Sequence, residues 1–179
     1  MPRSKFQPPS ASASPGGRAL SHFDARTGRA RMVDVGGKAV TERIATARGI
    51  VRVSPELVTV LKAGTLEKGD AFTVAKAAGI LAAKQTGTLI PMCHPLPLNV
   101  VELELELDEA AGEVRIEATA KTEARTGVEM EALMAVSMAA LTFYDMCKAV
   151  DKGMVIDRIH LAKKTGGKSG TYVNEQPRS

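Results

Sequence analysis

Aromatic residues are scarce in this sequence, and the scarcity restricts both its core and its ligands. Phe, Tyr and Trp together make up 3% of the 179 residues, and Trp is absent. The core must therefore be aliphatic, which is feasible because 44% of the residues are hydrophobic. So few rings also argue against a single-stranded nucleic-acid platform, on which bases stack on aromatic side chains.

Cysteines and long apolar runs are also few. Cys93 and Cys147 give no disulfide framework, so a reducing cytoplasm is the expected location. No apolar run approaches the ~20 residues that a membrane-spanning helix needs. Residues 1–18 also lack the apolar stretch of a secretory signal. The sequence therefore predicts a cytoplasmic protein.

The net charge of +4 comes mostly from the first residues of the chain. Residues 1–18 contain basic side chains and no acid, whereas the remainder has 21 basic and 20 acidic groups. A generic DNA-binding role therefore loses its main support. The same segment is rich in Pro and Ser, so we predict a disordered tail over 1–18, with a transit peptide as the less favoured interpretation. A single domain over 19–173 and a loose end over 174–179 complete the predicted organisation.

Hydrophobic periodicity and capping residues predict an α+β fold. The predicted elements are a strand over 40–53, a helix from Pro55 to about Ala63, a helix over 71–85, strands over 101–108 and 114–121, a helix over about 127–150 and a strand over 155–162. This order matches a split βαβ arrangement, the ferredoxin-like sandwich. We expect an antiparallel sheet covered by helices, with an extra helix in the first crossover.

Five short segments combine lysines, carboxylates and a histidine. Lysines neutralise phosphate oxygens, and carboxylates or histidine transfer protons, so the combination suits a polyphosphate substrate. The segments are 68–70, 91–95, 126–131, 145–148 and 163–170.

Several of these residues also have a purely structural interpretation. Asp145 and Lys148 lie three positions apart on the long helix, which is typical of an ordinary surface ion pair. His94 lies between prolines in a loop, where it could be packed for shape alone. Glu129 and Glu131 open the long helix, where acids commonly offset the helix dipole.

The glycine-rich segment 166–170 is not a P-loop, because Ala162 stands where the first glycine would be required. Its backbone N–H groups, with Lys164 and Lys168, still suit a phosphate, although a flexible solvated segment is the alternative. Zinc is less favoured, since adjacent Cys93 and His94 lack the spacing of zinc ligands.

Taken together, these motifs closely resemble the molybdenum-cofactor biosynthesis protein C family, over roughly residues 20–172. The resemblance is specific because long runs match in order. The runs are MVDVGGKA (32–39), KGD (68–70), LIPMCHPLPL (89–98), TGVEMEALMAVSMAALTFYDMCKAVDKGM (126–154) and KTGGKSG (164–170).

The resemblance implies a lyase that converts the cyclic dihydro-GTP made by a radical-SAM partner into cyclic pyranopterin monophosphate, with release of diphosphate. It implies a hexamer built from dimers, with active sites at the dimer interface. It implies no cofactor, apart from a possible divalent cation on the substrate triphosphate, and neither a nucleic-acid nor a membrane partner. The alternative is a ferredoxin-like nucleotide-binding or regulatory module without catalysis.

The resemblance also assigns site residues at matching letters. Asp145, Lys148 and Lys68 are the implied catalytic residues, with Asp145 as the acid/base. The implied substrate-binding residues are Met92, Cys93, His94, Met130, Glu131, Glu129, Arg43, Lys84, Lys164 and Lys168.

Overall fold

A computed structural model describes residues 23–24, 29–30, 32–168 and 170–174. The chain divides into two compact units, residues 1–34 and residues 35–179. In the first unit, strands β1 (Phe23–Asp24) and β2 (Arg29–Ala30) pair antiparallel. The predicted tail over 1–18 lies outside the described residues, as do 175–179 of the predicted loose end.

The second unit has the predicted ferredoxin-like architecture. Its elements are β3 (Thr41–Arg52), α1 (Pro55–Ala63), α2 (Ala71–Leu89), β4 (Val100–Asp108), β5 (Glu113–Ala124), α3 (Glu129–Cys147), β6 (Val155–Thr165) and β7 (Tyr172–Val173). The five strands form one antiparallel sheet in the order β4-β5-β3-β6-β7. Because β5 separates β4 from β3, the two crossovers are split βαβ connections, and the first carries both α1 and α2.

Capping residues fix the first two helices where the sequence predicts. The Ser54 hydroxyl accepts a hydrogen bond from the backbone N–H of Leu57, and Pro55 occupies the first turn of α1. Gly64 ends α1 in the left-handed conformation, with a φ of 64°. The Asp70 carboxylate accepts from the second and third residues of α2, at 3.0 and 3.1 Å.

The core is aliphatic, as the composition requires. Small residues of β3 and β5 lie side by side on these neighbouring strands, as in the pair Ala45–Ala120. The alanines of α3 pack on the surface that these residues form. Phe143 is fully buried on α3, and its ring lies 5.6 Å from that of Phe72 at the start of α2. Because Phe143 lies near the end of α3, the two helices run antiparallel.

Gly79 lets α2 and α3 approach closely. A Cβ atom at Gly79 would overlap the side chain of Leu103 and lie 2.7 Å from the carbonyl oxygen of Ala135. This tight crossing fixes which ends of the two helices are neighbours. The start of α2 lies beside the end of α3, and the loop after α2 lies beside the start of α3.

The expectation about apolar runs needs a correction. Helix α3 has 19 residues and a mean hydropathy of 1.2, so by length and composition alone it is apolar enough to cross a membrane. Half of the helix is buried within this fold, between α2 and the sheet. Its apolar character is that of a core helix, because residues such as Ala135, Ala139 and Phe143 are buried in the hydrophobic core.

Candidate active site

Lys68, Asp145 and Lys148 form a compact ion cluster, here called the carboxy-terminal cluster. The Lys148 ammonium lies 2.7 Å from Oδ1 of Asp145. The Lys68 ammonium lies 3.2 Å from Oδ2 and donates a second hydrogen bond of 2.8 Å to the Asp145 backbone carbonyl. The structure therefore joins all three implied catalytic residues around one carboxylate.

The fold positions this cluster through the two antiparallel helices. Asp145 lies in the last turn of α3, and Lys148 follows directly as its C-cap residue, with its backbone N–H bonded to the Tyr144 carbonyl. Lys68 belongs to the turn before α2. The contact of the Phe72 and Phe143 rings anchors this turn beside the end of α3.

Ion pairing shifts the pKa values of Asp145 and Lys148 in opposite directions. Hydrogen bonds from Lys148 and then Lys68 lower the pKa of Asp145, so its carboxylate is ionised at neutral pH. The hydrogen bond to Asp145 raises the pKa of Lys148. The Asp145 side chain is 59% exposed, so a substrate can reach it. A carboxylate and two ammonium groups thus meet at one accessible point.

A second group of implied site residues surrounds the start of α3 and is here called the amino-terminal cluster (Arg43, Cys93, Glu129, Glu131 and Lys164). The Lys164 ammonium lies 2.7 Å from Oε1 of Glu129, and both side chains are about three-quarters buried. This pair joins β6 to α3, so the strand holds the lysine in place.

Arg43 lies against the glycine-rich segment after β6. Gly166 and Gly167 have φ values of 96° and 74°, and a Cβ atom at Gly167 would overlap the Arg43 guanidinium. The Nε atom of Arg43 is buried and has no hydrogen-bond partner within residues 32–168 and 170–174. The two glycines thus allow a guanidinium to lie on the loop backbone, an arrangement that suits an anion.

Glu131 and Cys93 are the buried and partly buried acidic groups of this cluster. Glu131 is buried on α3, with 3% of its surface exposed. Burial raises the pKa of Glu131 to about 7. Cys93 lies in the loop after α2, and the pKa of its thiol is raised first by burial and then by the charge of Glu131.

The two clusters lie at opposite ends of α3. Fourteen residues separate Glu131 from Asp145, which corresponds to about 21 Å along a helix. Within one chain the two clusters are therefore well separated.

The remaining implied residues lie around these clusters without a described polar contact to them. Lys84 is exposed on α2, Lys168 is exposed after β6, and Met130 is 38% exposed on α3. Met92 and His94 are partly buried in the loop after α2. The backbone of His94 lies close to Gly87, where a Cβ atom would be 3.1 Å from the His94 carbonyl oxygen.

A cleft of about 540 Å³, which was not predicted, lies on the sheet face opposite the helices. Arg48, Arg115 and His160 line it together with glutamates of β4 and β5. Both arginines form ion pairs, Arg48 with Glu117 and Arg115 with Asp108. The alternating charged residues of β3, β4 and β5 were the signal in the sequence for this face. Such alternation is typical of a sheet face that is exposed to solvent.

Metal-binding side chains are not clustered in the described part of the chain. Within it, no group of three or more His, Cys, Asp or Glu residues is arranged to hold a metal ion.

The fold and the two clusters define a ferredoxin-like α+β protein with lysines and carboxylates gathered at both ends of α3. Comparison with known proteins identifies the family: residues 32–167 match the MoaC family, and the chain belongs to it. The expected family resemblance is therefore confirmed.

Curated relatives are similar over nearly their whole length. A protein of Dinoroseobacter shibae is 58% identical over 156 residues, which are 87% of this chain and 98% of that protein. A protein of Thermomicrobium roseum is 55% identical over 156 residues, 87% of this chain and 93% of that protein. A protein of Clostridium perfringens is 56% identical over 153 residues, 86% of this chain and 96% of that protein. Each is named cyclic pyranopterin monophosphate synthase.

Proposed function

We propose that this chain is a cyclic pyranopterin monophosphate synthase of molybdenum cofactor biosynthesis. The observation that carries the proposal is the identity of 55–58% to synthases of that name, over 93–98% of their length. The carboxy-terminal cluster supports it, because a carboxylate between two ammonium groups is equipped for proton transfer.

The reaction we propose is that of a phosphorus–oxygen lyase. Its substrate is a cyclic dihydro-GTP, and a ribose-derived hydroxyl attacks the α-phosphorus, so that a P–O bond to diphosphate breaks as the cyclic phosphate forms. Rearrangement of the purine-derived ring needs several proton transfers. Asp145 serves as the base, and Lys68 and Lys148 supply protons or stabilise negative charge.

The amino-terminal cluster suits the phosphate end of the same substrate. Arg43 on the glycine-rich backbone, with Lys164 and Lys168, would balance the charge that grows on the departing diphosphate. Met92, His94, Met130 and Lys84 are proposed to complete the substrate pocket around the ends of α2 and α3.

The separation of the two clusters leads us to propose that two chains share each active site. In one chain the proton-transferring and phosphate-binding clusters would be about 21 Å apart along α3, which is too far for both to act on one reacting centre. A two-fold pair of chains would bring the carboxy-terminal cluster of one to the amino-terminal cluster of the other. The proposed assembly is a hexamer of three such dimers.

This arrangement can be tested with two variants that damage different clusters. Asp145→Asn and Lys164→Ala chains are co-expressed and purified as mixed oligomers. In a random mixture half of the dimers contain both variants, and one of the two sites in each such dimer is intact. About a quarter of wild-type activity should therefore return. No recovery despite proven mixing would show that each chain has a complete site.

Other features of the proposal are the expected cofactor, partners and location. We propose that the protein has no resident cofactor and that any divalent cation binds to the substrate triphosphate. We also propose that the protein acts in the cytoplasm, on the product of a radical-SAM enzyme. Measuring turnover after treatment with a chelator, with and without added Mg²⁺, tests whether a divalent cation is needed.

The deciding experiment incubates the purified protein with the cyclic dihydro-GTP and measures diphosphate and cyclic pyranopterin monophosphate. Equal amounts of both products are expected from the wild type. Glu106→Gln, on the solvated sheet face, is the matched control and should keep full activity. A protein that binds the nucleotide without releasing diphosphate would instead be the non-catalytic module.

A further inference from the structure

Thr122 is a buried polar residue whose hydroxyl bonds to a distant segment. In the described part of the chain, three polar or charged residues are buried, namely Thr86, Thr122 and Glu131. The hydroxyl of Thr86 donates to the Ala82 carbonyl, one turn earlier on its own helix. Thr122 is 1% exposed, and its hydroxyl instead donates to the Pro97 carbonyl at 2.6 Å, 25 residues away. This bond joins β5 to the loop after α2.

The position of Thr122 on β5 would ordinarily suit a small apolar residue. Inward-facing and outward-facing residues alternate along this strand, and the neighbours of Thr122 on the inner face are Ala120 and Ala124. A hydroxyl group is costly to bury unless it has a hydrogen-bond partner. The Pro97 carbonyl is that partner, so Thr122 links two segments in addition to filling space.

The loop between α2 and β4, residues 90–99, has few backbone hydrogen-bond donors of its own. Three of its residues are prolines, which have no backbone N–H. Its far end is fixed by Asn99, whose backbone N–H donates to the Lys121 carbonyl at 2.9 Å. In its middle, Pro95 lies close to Gly87 of α2, where a Cβ atom would be 2.8 Å from the Pro95 Cα. The hydrogen bond from β5 falls between these two contacts.

Thr122 also connects this loop to the amino-terminal cluster. In the pairing of β3 with β5 it lies directly opposite Arg43. Directly opposite residues of an antiparallel pair point to the same face of the sheet, with Cβ atoms about 4.5–5.5 Å apart. Thr122 therefore lies between the strand that carries Arg43 and the loop that carries His94, and both of these residues are implied to bind the substrate.

We propose that Thr122 is a positioning residue, whose hydrogen bond to Pro97 keeps the loop that carries His94 in the arrangement that binds the substrate. Without this bond the loop samples other conformations, and the substrate must order it on binding. Proton transfer is assigned to the carboxy-terminal cluster, which other segments supply. Loss of the hydroxyl therefore raises KM and leaves kcat nearly unchanged. The inference rests on the proposed function for its effect on KM, whereas its effect on the loop is measurable without substrate.

The first experiment measures amide hydrogen exchange in the loop of the purified protein without substrate. Thr122→Val replaces the hydroxyl with a methyl group, and peptides covering residues 92–98 should exchange about tenfold faster than in the wild type. Thr119→Val is the matched control, because it removes from the same strand a hydroxyl that hydrogen-bonds to Thr46 at 2.8 Å. This control should leave exchange in the loop unchanged. Equal exchange in the loops of Thr122→Val and the wild type would overturn the proposal.

A second pair of variants isolates the hydroxyl and decides the question even if Thr122→Val does not fold. Thr122→Ser keeps the hydroxyl and loses the methyl group, whereas Thr122→Ala loses both. We expect slow exchange in the loop of Thr122→Ser, as in the wild type, and fast exchange in Thr122→Ala. The same exchange rate in both would show that the hydroxyl does not hold the loop, and the proposal would fail.

Steady-state kinetics distinguish positioning from a general loss of stability. In Thr122→Val, KM should rise about tenfold with kcat within about twofold of the wild type, and Thr122→Ser should restore KM. A folded Thr122→Val protein with an unchanged KM, or with a loss confined to kcat, would overturn the positioning role. A loop that responds as expected in a protein without turnover would support its link to Thr122 and count against the proposed function alone.

Discussion

The ammonium of Lys148 lies 2.7 Å from the Asp145 carboxylate, one turn further along the same rigid helix end. Lys68 reaches the other carboxylate oxygen from a different segment, 77 residues away in the sequence. An ordinary ion pair between neighbouring surface side chains contributes little to stability and does not require a second lysine. The convergence of two lysines on one exposed carboxylate therefore agrees with the proton-transfer role that we propose for this cluster.

Asp145→Asn is expected to remove the base and leave the fold intact. The substitution keeps the shape of the side chain, and the exposed position excludes a large packing loss. We expect kcat and kcat/KM to fall together by about 10²–10⁴-fold. Lys148→Ala should show the same pattern. Steady-state kinetics with circular dichroism as the folding control would test this, and near-normal kcat would make the ion cluster structural.

Lys168→Ala is expected to weaken substrate binding rather than proton transfer. Its exposed position after β6 suits contact with a flexible triphosphate, so KM should rise with a smaller change in kcat. Lys164→Ala should have a larger effect, because it also leaves Glu129 without its cation. The comparison requires KM and kcat for both variants. A pure kcat defect in Lys168→Ala would contradict the phosphate-binding role.

The raised pKa of Glu131 predicts a stability that depends on pH. The native state holds the proton up to about pH 7, whereas the unfolded chain releases it near 4.5. The native state therefore binds more protons over this window, and stability falls as pH rises through it. Relative to Glu131→Gln, the wild type should lose about 1–3 kcal/mol between pH 5 and pH 8.

Urea denaturation at fixed protein concentration, repeated at several pH values, measures this difference. Glu106→Gln serves as the control, since its carboxylate lies on the solvated face of the sheet. Parallel pH curves for wild type and Glu131→Gln would show that Glu131 is ionised throughout.

Gly79→Ala is expected to destabilise the fold at the crossing of α2 and α3. The added methyl would meet the Leu103 side chain and the Ala135 carbonyl, so one helix must shift, at a cost of about 1–3 kcal/mol. Gly37→Ala is a matched control, because a Cβ atom there meets nothing within 4 Å. Thermal unfolding of both variants measures the difference, and equal midpoints would contradict the close crossing.

Local signals in the sequence were sufficient for most of the secondary structure. Ser54, Pro55, Gly64 and Asp70 act through backbone groups within a few residues, so their pattern could be read without the tertiary structure. The alternation of 101–108 and 114–121 likewise predicted the hairpin that β4 and β5 form. Element ends were less certain, and α2 continues beyond the predicted 85 to Leu89.

Strand β7 was not predicted, and β6 extends to Thr165 rather than 162, because both depend on pairing with a distant partner. A two-residue strand has no periodicity of its own. Its hydrogen bonds to Lys163 and Lys164 exist only once β6 has joined the sheet.

The sequence by itself determined the family, the order of the elements and the identity of the residues in the two clusters, because short motifs and side-chain chemistry are local properties. Only the tertiary structure decided how these residues are grouped. It brought Lys68 to Asp145 across 77 residues, and it separated Asp145 from Glu131 by the length of α3. It also buried Glu131 while leaving Asp145 exposed, so the pKa of one carboxyl group on α3 is raised and that of the other is lowered. Burial and charge pairing arise from contacts between distant segments, which the order of residues alone does not reveal.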